Sequence, residues 1–284
     1  MRSLKTRIAD YVKAVATVAT GRLIAGRRLT VFADDVFIVS YPKSGNTWTR
    51  FLIGNLVHQD EPVTFANVEY RVPSIYAHPD RTLRRLPRLL KSHECFDPRY
   101  RKIIYIARDP RDVAVSCYHY YIKMGWLSET CSLHDFVPRF IVPEFEINFG
   151  SWSENVMSWV SMRQHTDTFL FFRYEDMLRQ PEAELARVAS FLNIEPTPAR
   201  LGRAVTLSAA DRMRELEKKE GDKWTLIKDT RKDKPFVREA KSGGWRKVLP
   251  PESVAQIEVA WGSVMERFGY ELSTCPAKAG GVIK

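Results

Sequence analysis

The apolar positions of this chain come in short continuous runs rather than in alternation. Val36-Phe37-Ile38-Val39-Ser40 is rich in β-branched residues and is broken by Pro42 and Gly45. An uninterrupted apolar run of this length predicts a strand buried on both faces, as in a parallel sheet. A helix is expected directly behind it, over residues 47–56. Leu89-Leu90-Lys91-Ser92-His93 and Ile103-Ile104-Tyr105-Ile106-Ala107 predict two further strands, with a helix over 112–121. Phe169-Leu170-Phe171-Phe172 predicts a fourth, followed by a helix over 181–192. Strands alternating with helices predict an α/β fold, a single domain with a central parallel sheet flanked by helices. Ligands of such sheets bind beyond the carboxyl ends of the strands. Between these elements, residues 61–88 carry Pro62, Pro73, Pro79 and Pro87, and residues 125–148 are aromatic and irregular. Both are expected to wall a binding site. Residues 218–244 are charge-rich and predict a mobile flap.

Composition narrows the partner. With 284 residues, 44% of them hydrophobic, the chain can bury one large core. Its 44 basic and 34 acidic residues leave a net charge of +10, which favours a polyanionic ligand. A zinc-finger pattern, a basic region with heptads and an RNP-like strand are all missing, so a phosphate-rich small molecule is preferred to nucleic acid. Cys95, Cys117, Cys131 and Cys275 show no CxxC pairing and are expected as free thiols. The six histidines never cluster with other ligand types, and no metal is expected. The first thirty residues hold seven basic residues against Asp10. Their longest uncharged run, residues 14–21, is too short to cross a bilayer or to form a convincing signal-peptide core, so a cytoplasmic location is expected. Ile8, Val12, Val15, Val18 and Ala19 share a helical face that either packs on the domain or lies on an anionic membrane. The expected division is a basic helical segment over 1–30, a catalytic domain over 31–275 and a tail over 276–284.

Three segments carry candidate chemistry. Tyr41-Pro42-Lys43-Ser44-Gly45-Asn46-Thr47-Trp48 turns sharply into a helix N-terminus, where free N–H groups and the helix dipole make a phosphate cradle. Its lysine precedes its only glycine, unlike the GxxxxGK[ST] loop of nucleotide hydrolases. At the next tip, Arg108 and Ser116 stand eight residues apart, a spacing that lets a guanidinium and a hydroxyl grip one phosphate from loop and helix. His93 closes the strand between them and could take a proton from an acceptor. Each segment also has a plain structural reading: a turn with an incidental lysine, a solvated Arg-Asp pair at a helix start, a packed histidine.

Together these segments resemble the cytosolic-type sulfotransferases that use 3′-phosphoadenosine 5′-phosphosulfate. The first matches the family's YPKSGTTW loop except at Asn46. The resemblance implies that Lys43 contacts the bridging oxygen and leaving phosphate. It also implies that Ser44, Gly45, Asn46 and Thr47 hold the 5′-phosphate and that Trp48 stacks on adenine. It assigns Arg108 and Ser116 to the 3′-phosphate. Through the family's K(T/S)H strand end it makes His93 the general base and Lys91 a charge stabiliser. Gly150-Ser151-Trp152 and Tyr174-Glu175-Asp176-Met177 resemble the GSW and YEDM segments, with Tyr174 against adenine. The implied reaction is in-line sulfuryl transfer to a hydroxyl or amine, releasing adenosine 3′,5′-bisphosphate without a metal.

The C-terminal match is looser. Arg238 to Arg246 aligns with RKGxxGDWK, implying Arg238 as a third 3′-phosphate ligand, but Glu239-Ala240 stands where the family has Lys-Gly. Lys241 is expected to compensate. Ser208 falls at a nucleotide-contacting position, and Ala210 replaces an aromatic that usually stacks on adenine. Ser253, Val254 and Glu258 fit part of a dimerisation signature whose lysine is Leu249 here, so a homodimer is a further expectation. The aromatics Phe65, Tyr70, Tyr76, Trp126, Phe136, Phe140, Phe145 and Phe149 favour a phenol, steroid-like alcohol or lipid acceptor, while the arginines leave a glycan open. A nucleotide kinase would need a Walker lysine and a magnesium-binding carboxylate at a strand end, and neither is in place. A non-catalytic polyanion-binding module is the other alternative.

Overall fold

The computed structural model describes residues 29–77 and 88–273. The N-terminal helical segment (apart from Leu29 and Thr30), Cys275 and the tail over 276–284 lie outside the described residues. Four strands, β1 (Val36–Ser40), β2 (Leu89–Ser92), β3 (Lys102–Ala107) and β4 (Phe169–Arg173), form one parallel sheet in the order β2-β1-β3-β4. The continuous apolar runs arise because both faces are covered. Phe37, Val39, Ile103 and Tyr105 enter one core, while Val36, Ile38, Ile104 and Ile106 enter the other. Polar residues on either face would have left groups to be desolvated without partners.

The helices behind the motifs are α1 (Asn46–Val57), α3 (Pro110–Lys123) and α7 (Pro181–Phe191). A four-residue helix α2 (Val68–Arg71) interrupts the proline-rich stretch. The supposedly irregular stretch over 125–148 contains α4 (Leu133–Ile141), which buries Phe136, Val137 and Phe140 and carries Pro138 inside it. Ser132 caps it, accepting from the Asp135 N–H, so a local capping signal was legible although the proline masked it. Helix α5 (Trp152–Arg163) opens with a full capping box of Ser151 and Glu154, worth about 1 kcal/mol. Helices α6 (Tyr174–Arg179), α8 (Pro198–Leu207), α9 (Ala210–Glu220) and α10 (Pro251–Arg267) complete the described chain. None of its helices is long and apolar enough to cross a membrane.

The expected flap is packed down rather than loose. Its first residues belong to α9, and Trp224 and Ile227 are buried against Phe51 and Phe65. The Lys123 ammonium donates to the carbonyls of Arg231 and Lys234 at 2.8 and 2.7 Å. The residues of the dimerisation signature turn inward. Ser253, Val254 and Leu249 are buried, and Glu258 accepts from the equally buried Arg111 at 2.6 Å. Arg111 also pairs with Asp109 and lies 3.9 Å over Trp245, which ties α3 to the C-terminal helix. Removing one partner of a buried pair like this typically costs about 3–5 kcal/mol.

Candidate active site

Parallel register brings the candidate segments to one edge. Val39 stands beside Ser92, Ser40 beside Ile106 and Ala107 beside Arg173. The chain therefore leaves β1, β2, β3 and β4 on the same side, delivering Lys43, His93, Arg108 and Tyr174 to a single cleft of about 650 Å³.

The first loop is shaped by two residues in the left-handed region, Lys43 at φ 64° and Gly45 at φ 94°. Gly45 caps α1, and a Cβ there would lie 2.4 Å from the Tyr174 ring, so glycine serves both the turn and the close approach. The Asn46 amide donates to the Ile38 carbonyl at 3.2 Å and to Ser40 Oγ at 3.1 Å. It tethers the loop to β1, which leaves its backbone rather than its side chain to meet a phosphate. Ser44 Oγ is buried without a partner among the described residues. Trp48 sets its edge against Tyr174 at 5.5 Å and donates from Nε1 to the Ser208 carbonyl at 3.0 Å. Ser208 itself is fully buried, its hydroxyl accepts from Asn55, and it does not line the cleft. Its place in this structure is to position Trp48, whereas a direct nucleotide contact was expected of its side chain.

At the end of β2, the His93 Nδ1 lies 2.7 Å from the Ser40 carbonyl. A carbonyl can only accept, so Nδ1 carries the proton and Nε2 keeps its lone pair. The ring meets both Tyr76, whose hydroxyl accepts from the His93 N–H at 2.7 Å, and Phe149, 5.7 Å away, and these two rings also touch each other. Burial, reinforced by Lys91, holds the imidazole well below its ordinary value, so it is neutral at pH 7. Burial also lowers both lysines. Lys91, repelled further by Arg50, falls to about 7, and Lys43, with Arg108 and Arg238 nearby, to about 8. The Lys43 ammonium sits 4.2 Å from the Tyr120 ring and 4.3 Å from Phe236. That is a cation–π cradle, with no carboxylate salt bridge among the described residues.

On the far side, Arg108 donates to the Lys43 carbonyl at 3.2 Å and to the Lys241 carbonyl at 3.1 Å, and its Nε is buried without a partner among the described residues. Ser116, one face of α3 along, also lines the cleft. Asp112 accepts from the N–H groups of Gly243 and Trp245 at 2.6 and 3.0 Å, clamping the C-terminal segment onto α3. That segment keeps Ala240 at φ 53°, the left-handed conformation a glycine would adopt without strain. Arg238 and Lys241 both line the cleft, as does Ala210.

The family model for the sulfotransferase domain matches residues 33–269. This chain belongs to the sulfotransferase family. Human Sulfotransferase 2B1 is 30% identical over 231 residues, covering 75% of this chain and 61% of its own length. The chain thus spans about three fifths of that relative. Rat Sulfotransferase 1E1 is 24% identical over 266 residues, covering 86% of this chain and 85% of its own length. Retinol dehydratase, solved in complex with androsterone and inactive cofactor PAP, superposes with a TM-score of 0.68 at 20% identity, covering 86% and 84% of the two chains. Mouse sulfotransferase SULT7A1 complexed with PAP gives 0.63 at 23%, covering 84% and 85%. At these identities the likeness establishes the shared fold.

The chain departs from its sequence-based expectations most in the part of the cleft near His93. Of the expected wall aromatics, Tyr76, Trp126 and Phe149 line it, but Phe65, Phe136 and Phe140 are core residues and Tyr70 is exposed. Phe145 stacks on Tyr121 instead, at 4.6 Å. Charged residues that no motif signalled occupy the cleft as well. Arg50, almost wholly buried on α1, donates to Glu69 at 2.9 Å and to the Val72 carbonyl. Glu69 also accepts from Trp224 Nε1 and the Ser74 N–H. Burial pushes its carboxyl up, yet Arg50 and these donors pull it down to about 2. Burial raises Glu146 to about 7 against the pull of the Tyr121 hydroxyl and both lysines.

Proposed function

We propose that the protein transfers the sulfuryl group of 3′-phosphoadenosine 5′-phosphosulfate to a hydroxyl of a small-molecule acceptor. The observation that carries the reading is the meeting, at one sheet edge, of the Lys43 loop after β1 with Arg108 at the tip of β3 on one side and the His93 imidazole at the end of β2 on the other. The residues fit a bisphosphorylated nucleotide. Among the described residues, Ser44 Oγ and Arg108 Nε are buried donors without partners, and the Lys43 ammonium meets the rings of Tyr120 and Phe236 with no carboxylate beside it. Lys43 and the backbone of residues 44–47 would hold the 5′-phosphate, and Arg108, Ser116 and Arg238 the 3′-phosphate. Trp48 and Tyr174 would flank the base. His93 Nε2 takes the acceptor proton as the hydroxyl attacks sulfur, while Lys43 and Lys91 offset the charge on the sulfuryl oxygens and leaving phosphate. The acceptor wall of Tyr76, Trp126 and Phe149 suits an apolar ring system, as do the androsterone and retinol in the solved complexes of retinol dehydratase. The resemblance to the cytosolic type supports a cytoplasmic setting.

Calorimetric titration with adenosine 3′,5′-bisphosphate tests the reading. Lys43 at about 8 is half deprotonated at pH 8 in the open cleft, and a phosphate restores its charged form. Binding at pH 8 is therefore expected to take up about half a proton. The uptake reads out as the dependence of the observed heat on buffer ionisation enthalpy, and affinity is expected to fall as pH rises from 7 to 9. Absence of binding would overturn the function, and proton release would remove Lys43 from the phosphate.

The same titration separates the two flap cations. Arg238→Ala is expected to raise the dissociation constant about tenfold or more, as loss of a charge-assisted hydrogen bond does. Lys241 is exposed and meets Arg108 through its carbonyl, so Lys241→Ala is expected to change the constant less than threefold. An unchanged constant for Arg238→Ala would discard the alignment of the flap.

A further inference from the structure

Four carboxylates of the described residues line the cleft, and three are occupied. Glu69 is committed to Arg50, Trp224 and Ser74, and Asp112 to the flap N–H groups. Glu239 is exposed on the flap beside Arg238. Glu146 is different. Its Oε1 accepts from the Tyr121 hydroxyl at 3.1 Å, and its Oε2 meets no donor among the described residues. It sits at the acceptor end, immediately before the turn Ile147–Phe149, and its carbonyl accepts from the Phe149 N–H at 2.8 Å. The Phe149 ring in turn flanks His93. The carboxylate therefore shares a wall with the group nearest the reacting hydroxyl, one short turn away from it.

We propose that Glu146 is a specificity-determining residue that receives a hydrogen-bond donor, a hydroxyl or an ammonium, on the acceptor's end remote from the reacting hydroxyl. The acceptor is then an amphipathic molecule: a flat apolar body against the wall of Tyr76, Trp126 and Phe149, with a polar donor at its far end. The inference rests on the sulfuryl-transfer reading of the same cleft. The chemistry selects a donor for two reasons. At pH 8.5, where a carboxyl at about 7 is ionised, an oxygen left open beside an engaged one can only accept. An anionic substituent would instead be drawn to Lys43 and Lys91 and repelled by Glu146. Once a bound acceptor covers that oxygen, leaving it without a donor is costly, so a ligand that supplies one is preferred over an isostere that does not.

Three para-substituted phenols of equal size test this: 4-propylphenol, 4-(2-hydroxyethyl)phenol and tyramine. Their dissociation constants are measured on the wild-type complex with adenosine 3′,5′-bisphosphate and on the same complex of Glu146→Gln and Glu146→Leu. At least one donor-bearing phenol is expected to bind wild type about tenfold tighter than 4-propylphenol. That preference is expected to vanish in Glu146→Leu. In Glu146→Gln it is expected to shrink strongly if the donor is the ammonium and mildly if it is the hydroxyl. Nucleotide affinity within about twofold of wild type shows that each variant is folded. Equal binding of the three phenols, no binding of any, or a preference that survives Glu146→Leu overturns the inference. Failure of wild type to bind the nucleotide would instead overturn the sulfuryl-transfer reading, so the two failures are distinct.

Discussion

His93→Ala is expected to lower turnover by about 10² to 10⁴, the usual cost of removing a general base, while the affinity for adenosine 3′,5′-bisphosphate stays within about twofold. The split follows from the geometry. The imidazole is fixed through Nδ1 on the Ser40 carbonyl and flanked by Tyr76 and Phe149, on the acceptor side of the cleft. The groups proposed to hold the phosphates lie on the loop after β1 and at the tip of β3. Burial also keeps the ring neutral, so the base needs no deprotonation near pH 7 and the loss in the variant is expected to be constant across pH 7 to 8. Single-turnover transfer from labelled donor gives the rate, and calorimetry gives the affinity. Activity within about threefold of wild type would remove His93 from the chemistry.

The second large effect is one of donor choice. Arg108→Ala is expected to weaken 3′-phosphoadenosine 5′-phosphosulfate about ten- to a hundredfold more than it weakens adenosine 5′-phosphosulfate, which lacks the 3′-phosphate. Some loss for both donors is expected as well, because the guanidinium holds the carbonyls of Lys43 and Lys241 and lies 4.5 Å over the Tyr174 ring. The ratio between donors isolates the phosphate contact from this common term. Ser116→Ala should shift the ratio in the same direction by less, since a neutral hydroxyl donates a weaker bond. Equal losses for both donors would mean that no 3′-phosphate is held here.

What the sequence by itself determined was everything local or periodic. Each strand came from its run of apolar residues, because two-sided burial leaves no polar alternation to hide it. The sharp strand-to-helix turn came from Pro42 and Gly45, and the order of the segments came from the alternation of strands and helices. Parallel pairing then places all the strand ends on one edge, so His93, Lys43 and Arg108 were legible as one site before any distance was known. The orientation of Ser208 was not legible, because a serine near a motif looks the same whether its hydroxyl faces the cleft or, as here, Asn55.

Only the tertiary structure decided the acceptor half and the flap. Arg50 and Glu69 are nineteen residues apart on different elements, and neither carries a signal until α1 and α2 are packed together. Glu146 reads as one acid among many in an irregular stretch. Its open oxygen, its raised carboxyl and its place beside Phe149 arise only when α3 brings Tyr121 across to meet it. Asp112 is adjacent to a motif, yet its task is set by two N–H groups more than a hundred residues away. The physical reason is common to all of these. Desolvation and the pairing of side chains across elements depend on what surrounds a group in space, and residue type and spacing along the chain carry that information only within a single element or turn.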